Sequence, residues 1–194
     1  MKKNRILFVK PPDRFLDDEF VYQQLGPHYL QSYLLSHDIE SDILVLFEDV
    51  AVRKQRILNL YHMESLSDLC MMLIYQDGKV AESPFNIDIF GEYDIVAMSV
   101  MSPQAPDAYR LSESINKKYP HIITVIGGSH ARYYYDSVIN LPNKIAFDFV
   151  VPNDGWEPML GIASSKYLKN KMTNSRTQVL SHEYKKVLEI PAPT

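Results

Sequence analysis

Two segments gather most of the groups able to act on a ligand. "TVIGGSHARYYYD" places Gly127, Gly128, Ser129 and His130 directly after an aliphatic run, and "FDFVVPNDGWEPM" places Pro152, Asn153, Asp154, Gly155 and Trp156 after another. Adjacent glycines let backbone approach a bulky ligand with no Cβ in the way. Hydroxyls and backbone N–H groups suit phosphate and amide oxygens. Ser129 has the chemistry of a helix cap, and His130 is able to face a crevice. Both segments also read as ordinary strand-to-helix turns, with His130 a hydrogen-bonded surface histidine and Trp156 a packing residue. A third set, Ser99, Val100, Met101 and Ser102, closes the run "YDIVAMSVMS". Its serines either meet a ligand or end a strand and cap a helix, and Met101 suits a core as well as a cofactor wall.

The elements that must position these groups follow from hydrophobic patterning. "RILFVKPP" is an aliphatic run ended by Pro11 and Pro12, which a central strand cannot continue through. Apolar residues at Leu25, Tyr29, Leu30, Tyr33 and Leu34 have helical spacing, with Gly26-Pro27 in the first turn. "DILVLFED" is a second strand, so the start of the chain reads as a right-handed βαβ unit. Residues 50–90 are less regular, with room for one or two helices and a turn at Asp77-Gly78. Three further strands are expected over Tyr93–Ser102, His121–Gly128 and Ala146–Gly155. Between them lies an amphipathic helix with Ala108, Leu111 and Ile115 inward, and another helix begins at Trp156. Almost wholly apolar strands alternating with helices predict a Rossmann-like, doubly wound α/β fold. Its sheet would be mostly parallel and five-stranded, with helices on both faces. Such a sheet binds ligands at the carboxyl ends of its strands, which selects the loops Lys10–Phe15, Ser99–Pro103, Gly127–Arg132 and Pro152–Glu157.

Composition removes several classes. The net charge of −4 favours neither nucleic acid nor an anionic membrane as partner. The apolar run Ile6–Val9 is shorter than a signal or membrane segment. A single cysteine, Cys70, excludes an internal disulfide and a cysteine-only metal site, and fits a reducing, cytoplasmic setting. No GxGxxG follows the first strand and no GxxxxGK[ST] occurs. Asp17, Asp18 and Glu19 read as a solvated loop rather than a metal site. A receiver domain would need an aspartate ending its third strand, and a flavodoxin a Ser/Thr-rich loop after its first. Neither is present.

Taken in order, "ILFVKPP", "LGPHYLQSYL", "YDIVAMSV", "GGSHA" and "DFVVPNDGWE" resemble the N-terminal cobalamin-binding domain of the cobalamin-dependent radical S-adenosylmethionine enzymes. The resemblance spans roughly residues 5–165, and the GGxHA segment is its most specific part. It implies a cobalamin-binding domain over 1–165 and an extension, 166–194. That extension, with "VLEIPAPT", looks like the linker to a radical domain in cis, which would hold S-adenosylmethionine and a four-iron cluster. The implied cofactor contacts are Pro12, Ser99, Val100, Met101 and Ser102, then Gly127, Gly128, Ser129 and His130, and a rim of Pro152, Asn153, Asp154, Gly155 and Trp156. The DxHxxG motif that supplies an axial histidine in other cobalamin proteins is missing from "KPPDRFL", so no metal ligand from that motif is implied. His28 stands where the family has a small residue, either projecting toward the pocket or partly exposed on its helix. No acid–base residue is implied, and methyl transfer is the reaction expected of the whole enzyme. Asn153-Asp154-Gly155-Trp156 departs from the family's GEGE-like rim. That departure is the sequence feature favouring the alternative of an interaction module that retains no cofactor.

Overall fold

The central strand β1 (Ile6–Lys10) is buried at every residue because it has a parallel neighbour on each side and helices above and below. Its neighbours are β2 (Ser41–Phe47) and β5 (Ile95–Ser99). In the computed structural model, which describes residues 4–14, 16, 25–48, 71–76, 79–164 and 178–179, the sheet continues beyond β5. It runs through β6 (Ile123–Gly127) and β7 (Phe149–Val150) to β8 (Gln178–Val179), all parallel. Beyond β2 it ends in an antiparallel hairpin, β3 (Met71–Gln76) and β4 (Lys79–Pro84). The order is β4-β3-β2-β1-β5-β6-β7-β8.

Among the described residues the sheet therefore has eight strands, not the five expected. All five expected strands are present as β1, β2, β5, β6 and β7. The hairpin is hidden in the sequence for physical reasons. Met and Leu in "MMLIY" are strong helix formers, so the run reads equally as helix. β4, "KVAESP", is an edge strand with almost every residue exposed, and it shows no apolar run. β8 falls in the segment expected to be an extension, and it adds an edge strand to β7. The turn at Asp77-Gly78, the acidic run 17–19, Cys70 and the segment 50–70 lie outside the described residues.

Helices α1 (Leu25–Leu35) and α5 (Trp156–Ser164) cover one face of the sheet, and α2 (Ala105–Lys118) covers the other. Ile6, Phe8, Val125 and Val151 pack toward Leu34, Met159 and Ile162. Leu7, Val9, Val96 and Ile126 pack toward Ala108, Leu111 and Ile115, the three residues expected to face inward from α2. This is the strand alternation of a sheet buried on both faces. Two short helices, α3 (Ser129–Tyr133) and α4 (Tyr135–Ile139), share the α2 side through Ala131 and Val138. Because α1 leaves β1 toward one face and α2 leaves β5 toward the other, the two loops part at the carboxyl ends of these adjacent strands. That is the topological switch point of the sheet.

The α2 side of that point is closed by a buried polar clamp. Lys10 and Asp13 are each 1% exposed and pair at 2.5 Å. Gln104 Nε2 donates to Asp13 Oδ1 at 2.5 Å and to the Pro11 carbonyl at 3.1 Å, while its Oε1 accepts from the Met101 amide at 2.8 Å. Arg14 bridges Glu48 at 2.9 Å and Asp107 at 2.8 Å. These bonds tie the loop after β1 to the loop after β5. Removing one member of a buried pair strands the other charge, so Lys10→Met is predicted to cost about 3–5 kcal/mol of stability. The measurement is the urea midpoint at unchanged m value; a loss below about 1 kcal/mol would show that the clamp is not holding the edge.

Candidate functional site

On the α1 and α5 side the switch point is open. Phe8, Ala97 and Val125 lie side by side on β1, β5 and β6, with Phe8 paired to Ala97 and Ala97 to Val125. The alanine between two bulkier residues leaves a hollow in the sheet surface. Leu30 and Tyr29 from α1 and Met159 and Trp156 from α5 wall it, and Val151 completes the floor, giving a cavity of about 230 Å³. Ser99, Gly26, Gly127, Gly128, Asn153, Asp154 and Gly155 stand around it at the strand and helix ends. Ile95, Ala97 and Ser99 alternate onto one face, so Ser99 sits one pleat above the floor. Its hydroxyl makes no hydrogen bond among the described residues.

The glycines divide by what their missing side chains are for. Gly128 has φ +88°, and a Cβ there would lie 2.7 Å from both the amide nitrogen and the carbonyl oxygen of Val100. Only glycine fits that crossing, which the Val100 N–H to Gly127 carbonyl bond (3.0 Å) and the His130 N–H to Val100 carbonyl bond (2.9 Å) hold together. At Gly127 the nearest atom to an added Cβ is the Val151 carbonyl oxygen at 3.5 Å, an ordinary contact, and at Gly26 it is Ser99 Oγ at 4.0 Å. The fold does not require glycine at either place, and both border the cavity. Gly155 is intermediate, because its added Cβ would meet the Leu30 side chain at 3.2 Å.

Of the residues singled out from sequence, Ser99, Gly127, Gly128, Asn153, Asp154, Gly155 and Trp156 border one cavity. The others lie elsewhere. Val100 is buried in the core on the α2 side. Met101 is 39% exposed at the edge. Pro12 is buried in the loop after β1, outside the cavity lining. Pro152 follows β7 at the rim, half-buried. Ser129 is the first residue of α3 rather than its cap, since Gly128 holds the cap position. His130 is turned away from the cavity and is not a surface residue. Its Nε2 lies 2.6 Å from the Tyr109 hydroxyl on α2, its Nδ1 3.3 Å from Ser102 Oγ, and its ring stacks on Tyr134. Burial pushes its pKa below the ordinary 6.5. His28 is half-buried and sits edge-on to Tyr75 of β3, at a ring separation of 5.7 Å, away from the cavity.

Trp156 is the hinge of the cavity's outer wall. Its ring meets Tyr29 and Tyr33 edge to face at 6.1 and 5.7 Å. Tyr33 Oη donates to Glu157 at 2.9 Å. Burial, then that carboxylate, pushes the Tyr33 pKa up to about 12. The contacts fix the start of α5 against α1. Phe8, Gly26, Leu30, Ala97, Val125 and Met159 are lining residues that the sequence does not mark as candidates for the site. Only two carried a signal: Ala97 is the small residue in "IVAMS", and Gly26 opens a helix. The polar groups that the described residues bring to the cavity are hydroxyl, amide, carboxylate and ring N–H groups, with no cation among them.

A doubly wound sheet with an apolar slot at its switch point makes the fold Rossmann-like. Residues 87–163 match the family model of the B12 binding domain. That interval contains β5, β6 and β7 and every loop residue at the cavity mouth except Gly26. The chain matches no curated protein. Among the described residues no helix is long and apolar enough to cross a membrane, and no group of three or more His, Cys, Asp or Glu is placed to hold a metal ion.

Two outcomes are expected here. Gly128→Ala loses about 2 kcal/mol or more through a strained φ and backbone overlap, whereas Gly127→Ala is neutral or stabilising by up to about 1 kcal/mol. Thermal unfolding of the two variants checks this, and equal losses would contradict it. The lowered His130 value means that the folded state binds its proton less readily than the unfolded chain. Its contribution is complete above 6.5 and is lost as the pH falls below that value. His130→Gln should therefore flatten the acid-side decline in stability, leaving the part due to His28, which burial also lowers. An unchanged slope would contradict the assignment.

Proposed function

We propose that this chain binds cobalamin, with the corrin across the carboxyl edge and the nucleotide tail in the cavity beside Ala97. The domain would serve a radical S-adenosylmethionine partner domain in cis that carries an iron–sulfur cluster, in a cytoplasmic methyl-transfer enzyme. The observation that carries the reading is the slot itself. It lies at the switch point, and two of its bordering glycines have room for a Cβ that the fold does not require. The match over residues 87–163 supports the cobalamin part. The motif order in the sequence supports the radical-enzyme part.

The residues present fit the group. Phe8, Val125, Leu30 and Met159 offer apolar contact to an aromatic ring and exclude water from it. The Ser99 hydroxyl is available for one hydrogen bond, and Gly127 and Gly26 allow close approach at the mouth. Asn153, Asp154 and Trp156 stand where the rim would meet the tail or the corrin. Among the described residues the lining offers shape and apolar burial rather than a histidine. When bound, cobalamin would supply methyl-carrying cobalt chemistry, and the domain's part is binding, orientation and shielding.

The test is retention of colour. The chain is mixed with hydroxocobalamin, freed of excess ligand by desalting, and its visible spectrum recorded. Near-stoichiometric corrin absorbance is expected for the wild type, with little for Ala97→Leu, which fills the slot from its floor while keeping the wild-type circular dichroism. A colourless wild type would favour the alternative of an interaction module whose altered rim, with Trp156 in the wall, has closed the site.

A further inference from the structure

We propose that the chain has a second binding site, between α1 and the β3–β4 hairpin, that takes a small zwitterion of the amino-acid class with an apolar side chain. A cavity of about 660 Å³ lies there, by the amino ends of β1 and β2, and it shares no lining residue with the slot beside Ala97. That volume is in the range of small-molecule sites. Ser41, Tyr75 and Val80 reach it from three successive strands, and His28, Gln31 and Leu35 from α1. Leu35 and Val80 are large apolar side chains left 51% and 58% exposed, one on the helix and one on the hairpin. A ligand body resting against them would take apolar surface out of water.

The charges around the cavity divide into committed and uncommitted ones. Arg5 pairs with Glu92 at 3.1 Å and with Asp42 at 3.8 Å, and Asp42 also accepts from Tyr93 Oη at 2.7 Å and Gln76 Nε2 at 3.2 Å. Glu40 and Lys79 border the same cavity, and among the described residues their side chains make no ion pair or hydrogen bond. One carboxylate and one ammonium therefore remain, and their complement is a ligand with one charge of each sign. Glu40 precedes β2 and Lys79 opens β4, with β3 between them. Their backbones thus stand two strand spacings, about 10 Å, apart. Two long side chains can close that gap from either side of an amino acid's ammonium and carboxylate. His28 adds no third charge at neutral pH. Burial pushes its pKa below the ordinary 6.5, which leaves one ring nitrogen to donate and the other to accept. The Ser41 hydroxyl is buried with no hydrogen-bond partner among the described residues. A ligand group that reached it would remove the cost of that unmade bond.

The experiment is calorimetric titration of the full chain with L-leucine and L-phenylalanine, and with two blocked probes, leucinamide and N-acetyl-leucine. Saturable binding of at least one free amino acid is expected. Leucinamide, which lacks the carboxylate, and N-acetyl-leucine, which lacks the ammonium, should each bind about tenfold or more weakly than leucine. Lys79→Gln should weaken the free amino acid about tenfold and abolish its advantage over leucinamide. Glu40→Gln should do the same relative to N-acetyl-leucine. Both side chains are exposed, so neither change disturbs the fold, and unchanged circular dichroism checks this. Retention of cobalamin should be the same in both variants, because the slot is a separate cavity. Absence of saturable binding by either free amino acid overturns the proposal. So does binding of the blocked probes within about twofold of leucine, or affinity unchanged in both variants.

Discussion

At Gly128 the chain passes so close to Val100 that any larger residue would collide with both the amide nitrogen and the carbonyl oxygen of Val100. This crossing organises the carboxyl edge. It sends α3 to the α2 side, where His130 locks between Tyr109, Ser102 and Tyr134. It leaves Gly127, one residue earlier, at the mouth of the cavity, which Gly128 also borders. The glycine pair thus divides two tasks: the second glycine serves the fold, and the first is available to a ligand. The histidine that follows belongs to the fold as well, although its place beside two glycines suggests a site.

The same edge is rigid on one side and open on the other. Lys10, Asp13, Gln104 and Arg14 tie the loops after β1 and β5 together over α2. On the α1 side, an alanine between Phe8 and Val125 keeps the sheet surface hollow. Trp156, braced by Tyr29 and Tyr33, holds the start of α5 at the width this hollow needs. A slot held open by packing is preorganised, so binding need not meet the cost of ordering its walls.

Much of this was legible in the sequence, for definable reasons. β1, β2, β5 and β6 are buried on both faces, so their residues had to be apolar almost without interruption, and each run ends where the sheet does. β3 and β4 escaped because pairing, not local preference, makes them strands: Met71–Gln76 reads as helix, and Lys79–Pro84 is a polar edge. The mouth of the site was legible because glycines and polar residues stand out after aliphatic runs. Its floor was not. Ala97, Val125 and Met159 look like any core residues until strand register places a small side chain between two large ones. His130 was misleading because its partner, Tyr109, is 21 positions away in sequence and on another element.

The central claim is that a cobalamin tail enters the slot beside Ala97. Trp156, the single tryptophan of the chain, forms part of that slot's wall and so reports on it directly. Titration of the chain with cobalamin should quench Trp156 fluorescence saturably, beyond the absorbance loss seen with free tryptophan, and Ala97→Leu should abolish the saturable part. Quenching that only matches the free-tryptophan control, or that is unchanged in Ala97→Leu, would contradict the claim.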